Sequence, residues 1–533
     1  MRRIAKATAG LAVVALAATA CAGETKNAGG SDGDPIIFGA GGPVSSLDPI
    51  FASDGENLRM TRQVYDTLIE HDGMEMVPGV AESWDQSDDG LDWTFKLREG
   101  VKFSDGADLD GEAVCANYER WAAFTGVYPD MTYYWTNLWG AEEDTNFKGC
   151  EADGLDVTIS IKKYSANYPG VFSLGAFALM SPKAIEQIDD TEATDASKLP
   201  AYTQEVGITA GSGAFTIDSW DHNAGEVTLK RNEDYWGEPA KAETIILKSI
   251  ENEQTRRQAL ISGEIHGYDL VSPADAADLK EKGFNVPERD PFNILYLGMS
   301  QQANEDLQDV EVRKAFAQAI DRQAIVDTIM APGATTTDQF MPEGVNGYNP
   351  DVPAIEHDVE AAKKAIEDAG VAGEEFEFCY PTQVVRPYMP NPEDIFERIK
   401  ADLEEAGVTI SPKPIVWDEF LKDYQQGKCQ MYLVGWTGDF NEAYNFVGTW
   451  FASESDEWGF DNADIFDTVN AAGSEPDPEK RAELMKEANA EIMEFMPGVP
   501  ISSSPPSLIF SEEIDPPTTS PLTQENFAEM GWK

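Results

Sequence analysis

The stretch "FEFCYPTQVVRPYMPNPEDIFERIKADLEEAGVTISPKPIVWDEFLKDYQQGKCQMYLVGWTGDF", residues 376–440, decides the fold. "FEFCY" (Phe376–Tyr380) reads as a strand, and "DIFERIKADLEEAG" as a helix with Ile395, Phe396, Ile399 and Leu403 on one face and Gly407 as its stop. "VTISPKPIVW" is a second strand whose Pro412 and Pro414 suit a sheet edge or a bulge. "DEFLKDYQQG" is a second helix and "QMYLVGW" a third strand. The order β-α-β-α-β calls for crossover connections and a partly parallel sheet, so the fold class is α/β. Ligands of such sheets sit beyond the carboxyl ends of the strands. Asp439 lies just past one such end, and the loop "PTQVVRPYMPNP" with Arg386 leaves another. Taken singly, a turn aspartate and a Pro-flanked arginine are ordinary surface residues. On one rim they become a candidate pair for a zwitterion, each charge-assisted bond contributing roughly 1.5–3 kcal/mol.

Upstream, "DVEVRKAFAQAIDRQAIVDTIM" is predicted as one amphipathic helix, with Val312, Ala315, Phe316, Ala319 and Ile320 on its buried face. Earlier still the pattern is different. "LDWTFKLREGVKFSDGADL" alternates Leu91, Trp93, Phe95 and Leu97 as a half-buried strand does. A helix from about Gly111 to Ala123 and the strand "LDVTISIKK" follow. "GSGAFTIDSWDHNAGEVTLKRNEDYW" and "AETIILKSI" give three more strands, read as antiparallel. The glycines of "FGAGGPV" lack the third position of a dinucleotide fingerprint, where Val44 stands, and form a turn.

Charge narrows the function. With 39 basic and 96 acidic residues the formal net charge is −57. That field repels phosphate backbones and argues against nucleic acid as a partner. It reads as a heavily hydrated surface, in high salt or otherwise, or as a field that concentrates cations; composition does not separate the two. The start, "MRRIAKATAGLAVVALAATAC", has a basic head, a short apolar run and small residues before Cys21, the layout of a secretory signal over residues 1–20. Cys21 is the expected lipidation site, followed by a polar tether over residues 21–34. Four cysteines remain, and sequence order favours Cys115–Cys150 and Cys379–Cys429 over the other two connectivities. The second pairing meets an objection. If Cys379 ends one strand and Cys429 begins a parallel neighbour, they lie at opposite ends of the sheet.

Catalysis and metal chemistry find little support. The G-x-S-x-G spacing occurs once, at Gly29–Gly33 inside the polar tether and not at a strand-to-helix turn, and His71, His222, His266 and His357 fall in no H-x-x-H or H-E-x-x-H spacing. No cofactor or metal is expected, and the protein is not expected to be an enzyme.

Eight segments, in order "YDTLIE", "VPGVAESWD", "WTFKLREGVKFSDGADLDGEAV", "GSGAFTI", "LKRNEDYWG", "ALISGEI", "VRKAFAQAIDRQAIV" and "GWTGDF", resemble the extracytoplasmic solute-binding proteins of peptide ABC importers, the dipeptide- and oligopeptide-binding family, in lipoprotein form. The resemblance covers the whole chain beyond the tether. It implies two α/β lobes closing over a ligand, with an additional domain inserted into the first: residues 35–66, 206–292 and 504–533 as lobe I, 67–205 as the insertion and 293–503 as lobe II. Hinges are expected near Phe292–Leu297 and Pro497–Ser503. It also implies roles. "GWTGD" is similar to the segment whose aspartate holds a ligand α-amine, which gives that role to Asp439, with Trp436 lining the pocket; "RPYMPN" gives Arg386 the ligand carboxylate. After the aspartate this chain has Asn441, Glu442, Ala443 and Tyr444 in place of the family's Pro-containing acidic turn, so the wall there is expected to differ. The implied protein is a monomeric, lipid-anchored receptor on the outer face of the cytoplasmic membrane, handing peptides to a membrane permease. A saccharide, opine or other cationic metabolite is the main alternative ligand, a nickel chelate a weaker one, and an exported hydrolase weaker still.

Overall fold

The computed structural model describes residues 33–188, 190 and 193–533; the signal segment and Cys21 lie outside the described residues. Three sheets carry the fold. The first runs in the order Ser507–Phe510, Gly267–Val271, Ile36–Ala40, Thr244–Ser249, Glu226–Arg231, Phe215–Asp221. Its last three strands form the expected antiparallel meander. The sheet as a whole is mixed, however, because Ile36–Ala40 pairs in parallel with both the 244–249 and 267–271 strands. The second sheet has the order Thr335–Thr336, Gly498–Ser503, Asn293–Met299, Met431–Thr437, Glu375–Thr382, Thr409–Val416. The third, Ala81–Gln86, Asp92–Leu97, Asp156–Ile161, Phe147–Asp153, is wholly antiparallel. Each sheet has its own hydrophobic core, the third drawn from residues between Ile50 and Tyr202 together with Phe440. The result is a two-lobed α/β molecule with an additional domain in the first lobe.

In the second sheet the 375–382 strand pairs in parallel with both the 409–416 and 431–437 strands, so all three carboxyl ends share one rim. The 409–416 strand, with Pro412 and Pro414, is the edge. Helix Pro392–Ala406 is capped by the Asn391 side chain, which accepts from the Asp394 N–H, and stops at Gly407 with φ 109°. Its Phe396 stacks on Tyr380 at 4.1 Å and meets Phe378 edge-on at 5.0 Å, fixing the helix over one face of the sheet.

Three expectations change. The single helix expected over 310–330 is two, Val310–Ala319 and Arg322–Thr328. Ile320 is extended, and the Asp321 side chain accepts from the Ala324 N–H and from Arg398 at 3.1 Å, so a carboxylate suited to capping restarts the helix. The objection to a Cys379–Cys429 bridge also fails. The strand continues past Cys379 to Thr382, and the register sets Phe378 beside Met431. Cys429 therefore lies near Cys379 rather than at the far end, with a Cα–Cα separation of 5.9 Å and a disulfide between them. Cys115 and Cys150 are likewise bonded, joining helix Gly111–Ala122 to the third sheet. Finally, the expected hinge segments fall largely inside strands. The chain crosses between the first two sheets at 290–292 and 504–506, where Asn293 Nδ2 donates to the Ser504 carbonyl at 2.6 Å and Ser504 N–H donates back to Asn293 Oδ1 at 3.1 Å.

Among the described residues no helix is long and apolar enough to cross a membrane, and no three His, Cys, Asp or Glu side chains gather as a metal site.

Candidate functional site

Asp439 stands two residues beyond the end of the 431–437 strand, on the shared rim. Gly438 lets the chain turn there, since a Cβ would meet the rings of Phe292 and Phe446 at 2.4 and 2.6 Å. Asp439 Oδ1 accepts from the Tyr134 hydroxyl at 3.0 Å, and Oδ2 accepts from Asn445 Nδ2 at 3.1 Å. Its own N–H donates to Asn445 Oδ1 at 2.8 Å, and Trp436 Nε1 lies 3.5 Å from that same oxygen. The carboxylate keeps some contact with solvent while protein surrounds it, as at the floor of a cleft. Burial pushes its pKa up to about 6, against the pull of the two hydrogen bonds. No lysine, arginine or histidine among the described residues pairs with it.

Arg386 lies in the loop after the 375–382 strand, in a tight backbone pair with Met389. Its guanidinium carbon sits 4.3 Å over the Trp417 ring, at the end of the neighbouring parallel strand. Its Nε is buried without a hydrogen-bond partner, and no carboxylate among the described residues pairs with it. The loop is held to the rim by Tyr388, whose ring occupies the space a side chain at Gly435 would need. Asp439, Trp436 and Arg386 are therefore on one rim, the first two joined through Asn445.

Residues from the other side surround the site; Tyr134 and Arg62 were not singled out by sequence reasoning, and His71 was weighed only as a metal ligand. Tyr134 comes from helix Tyr133–Leu138 of the inserted domain. Arg62, on helix Gly55–Val64, has one hydrogen bond, from Nη1 to the Thr523 carbonyl at 3.0 Å; among the described residues no carboxylate lies within ion-pair distance, although the charge of Glu525 reaches it. Burial lowers its pKa to about 10, and its charge reaches Tyr134 and His71. His71, also buried, is pushed down to about 4, and neither ring nitrogen has a partner. The only local signal for Tyr134 is the aromatic run "YYW".

The divergent segment 440–445 crosses the cleft. Phe440 inserts into the core of the inserted domain against Gly170, where a Cβ would meet its ring at 2.5 Å. Asn441 Nδ2 donates to the Met74 carbonyl at 3.3 Å. Glu442 pairs with Arg481 at 3.2 Å, and Arg481 donates onward to the Tyr164 hydroxyl at 3.0 Å.

The lobes meet at this rim, where opposite charges stand without ion-pair partners among the described residues, and the two-lobed α/β architecture is that of a solute-binding protein. Residues 75–458 match the family "Bacterial extracellular solute-binding proteins, family 5 Middle", and the chain belongs to that family. It is 26% identical over 521 residues to the "Dipeptide-binding protein" of Escherichia coli (strain K12), covering 93% of this chain and 94% of that protein. It is also 26% identical over 495 residues to "Di/tripeptide-binding protein 1" of Pseudomonas aeruginosa (strain UCBPP-PA14), covering 88% and 89% of the two. Among solved structures, HbpA2 from Haemophilus parasuis superposes with a TM-score of 0.79 at 25% identity, over 94% of this chain and all of the other.

Proposed function

We propose that this protein is an extracytoplasmic receptor that binds short peptides by their charged termini in the interlobe cleft and delivers them to the permease of an ABC importer. One observation carries the reading: Asp439 is a desolvated carboxylate, aimed by Asn445 and Tyr134, with no cation of its own. An ammonium bonded there satisfies a charge the fold leaves unpaired. Arg386, stacked on Trp417 with its remaining donors free, takes the ligand carboxylate. The names of the E. coli and P. aeruginosa relatives support peptides as the ligand class. The family and the names of these relatives are those of binding proteins, which supports a role in binding and release. The sequence before Asp34 supports attachment through a lipid on Cys21, which Cys21→Ala tests by releasing the protein from the membrane fraction.

Thermal unfolding with free and N-acetylated dipeptides tests the reading. A ligand at one hundred times its dissociation constant adds about 2.7 kcal/mol of stability. Free dipeptides should raise the transition and acetylation should abolish the rise; indifference to acetylation removes the amine from the account.

Arg62 favours a second reading. A guanidinium beside Tyr134 with no carboxylate within ion-pair distance among the described residues, touched only at longer range by Glu525, fits a solute with one ammonium and two acidic groups, as in an opine. Stabilisation by such an amino diacid and not by neutral dipeptides would select it.

A further inference from the structure

Away from the Asp439 rim, the second lobe holds another carboxylate without a cation. Glu457 Oε1 accepts from two tyrosines on adjacent strands, Tyr296 at 3.0 Å and Tyr432 at 3.2 Å. Its Oε2 accepts no bond from the described residues and is not among the oxygens sealed from solvent. Both hydroxyls on one oxygen fix the plane of the group and present the other oxygen. Aromatic rings surround it: Trp458 stacks on Tyr296 at 5.5 Å, and Tyr424 stacks on Tyr432 at 5.1 Å. Gly298 makes this possible, since a Cβ there would fall 2.0 Å from the Tyr432 ring. Burial pushes Glu457 up to about 7, so the site holds a carboxylate that gains from a cationic neighbour. The cluster also lies within electrostatic reach of the Arg386 loop and the inserted domain. The Tyr424 phenol feels Glu457, Tyr388 from the loop that carries Arg386, and Tyr133 from the inserted domain beside Tyr134.

We propose that Glu457, with Tyr296, Tyr432 and Tyr424, forms a second cation pocket of the cleft, which takes the side-chain ammonium or guanidinium of a lysine- or arginine-containing peptide. This rests on the peptide reading above. An oriented carboxylate oxygen supplies a charge-assisted hydrogen bond. The net charge of −57 draws cationic solutes toward such a pocket.

Calorimetric titration with Ala-Lys, Lys-Ala and their norleucine counterparts, which keep the alkyl chain and lose the charge, tests it. The protein should prefer one lysine peptide over its norleucine counterpart by about tenfold or more, and Glu457→Gln should bring that ratio near one. Equal binding of both pairs, or a preference that survives Glu457→Gln, overturns the pocket. If Glu457→Gln does not fold, Tyr296→Phe with Tyr432→Phe keeps the charge and loosens its aim, and the ratio should fall at least threefold; an unchanged ratio overturns it. If no dipeptide binds at all, the peptide reading has failed, and 1,5-diaminopentane isolates the pocket. Stabilisation of the parent protein and not of the variant keeps it; no stabilisation of either overturns it.

Discussion

Two groups of buried charges lie within the first lobe and across the cleft, and they are treated in opposite ways. In the first lobe Arg289, fully buried, is bonded to Glu525 at 2.7 Å, to Asp269 at 2.8 Å and to the Pro506 carbonyl at 3.1 Å. Arg59 reaches Asp269 at 2.9 Å and Glu56 at 3.2 Å. Burial alone would raise the Asp269 pKa, yet the two guanidiniums hold it well below the usual carboxylate range. In the cleft Asp439 and Arg386 have hydrogen bonds or ring contacts but no ion-pair partner among the described residues. Burial is common to both groups; pairing is not. Charges paired with one another serve the fold, and charges aimed but unpaired are the ones the proposed function assigns to a ligand.

Several variants can break or sharpen that contrast. Asp269→Asn should have the largest effect, because it leaves Arg289 and Arg59 buried around a neutral amide. The expected loss is about 3–5 kcal/mol of unfolding free energy by denaturant titration, with peptide affinity of the folded protein unaltered. Asp439→Asn should do the reverse. Affinity for free dipeptides should fall about 10- to 150-fold by calorimetry, while the ligand-free protein gains stability at pH 7. A variant that lost stability without losing affinity would erase the distinction between the groups.

A pH series sharpens it further. The pKa of Asp439 is raised in the fold, from a model-compound value of 3.8 to about 6, so its ionised form costs stability. That cost is absent below the unfolded pKa, grows as pH rises toward 6 and is level above it. The stability gap between Asp439→Asn and the parent should therefore open over that window and stay constant at higher pH. Amine affinity should move the other way, falling up to about tenfold per unit below pH 6 as the carboxylate protonates. The smallest expected change is Tyr134→Phe, which removes one donor from Asp439 and should cost about 0.5–1.5 kcal/mol of affinity. It should also shift the affinity profile to higher pH, which a merely structural tyrosine would not do.

The second lobe was legible because its elements are long and periodic. Pro412 and Pro414 pointed to an edge or a bulge, and the strand is the edge; Gly407 marked the helix stop. What escaped was set by tertiary contacts. Asp321 restarts a helix that the apolar stripe carries straight through, and the cysteine objection failed on three residues of strand length. At the site, Asp439 and Arg386 are readable because strand order puts both on one rim. Tyr134, 305 positions from Asp439, and Arg62 come from segments with no local mark of the role. Asn445, which aims Asp439, looks like any loop asparagine until its two hydrogen bonds are seen.

Phe440 and Gly170 bear on how such a receptor can change over evolutionary time. The residue after Asp439, the proposed ligand anchor, is also the one whose ring enters the inserted domain, and only a hydrogen at position 170 leaves it room. Recognition and clasping thus share neighbouring positions on one loop. A substitution that reshapes this wall for a new solute also resets how firmly the domains hold together, so drift in ligand preference and drift in release rate are inherited as a pair.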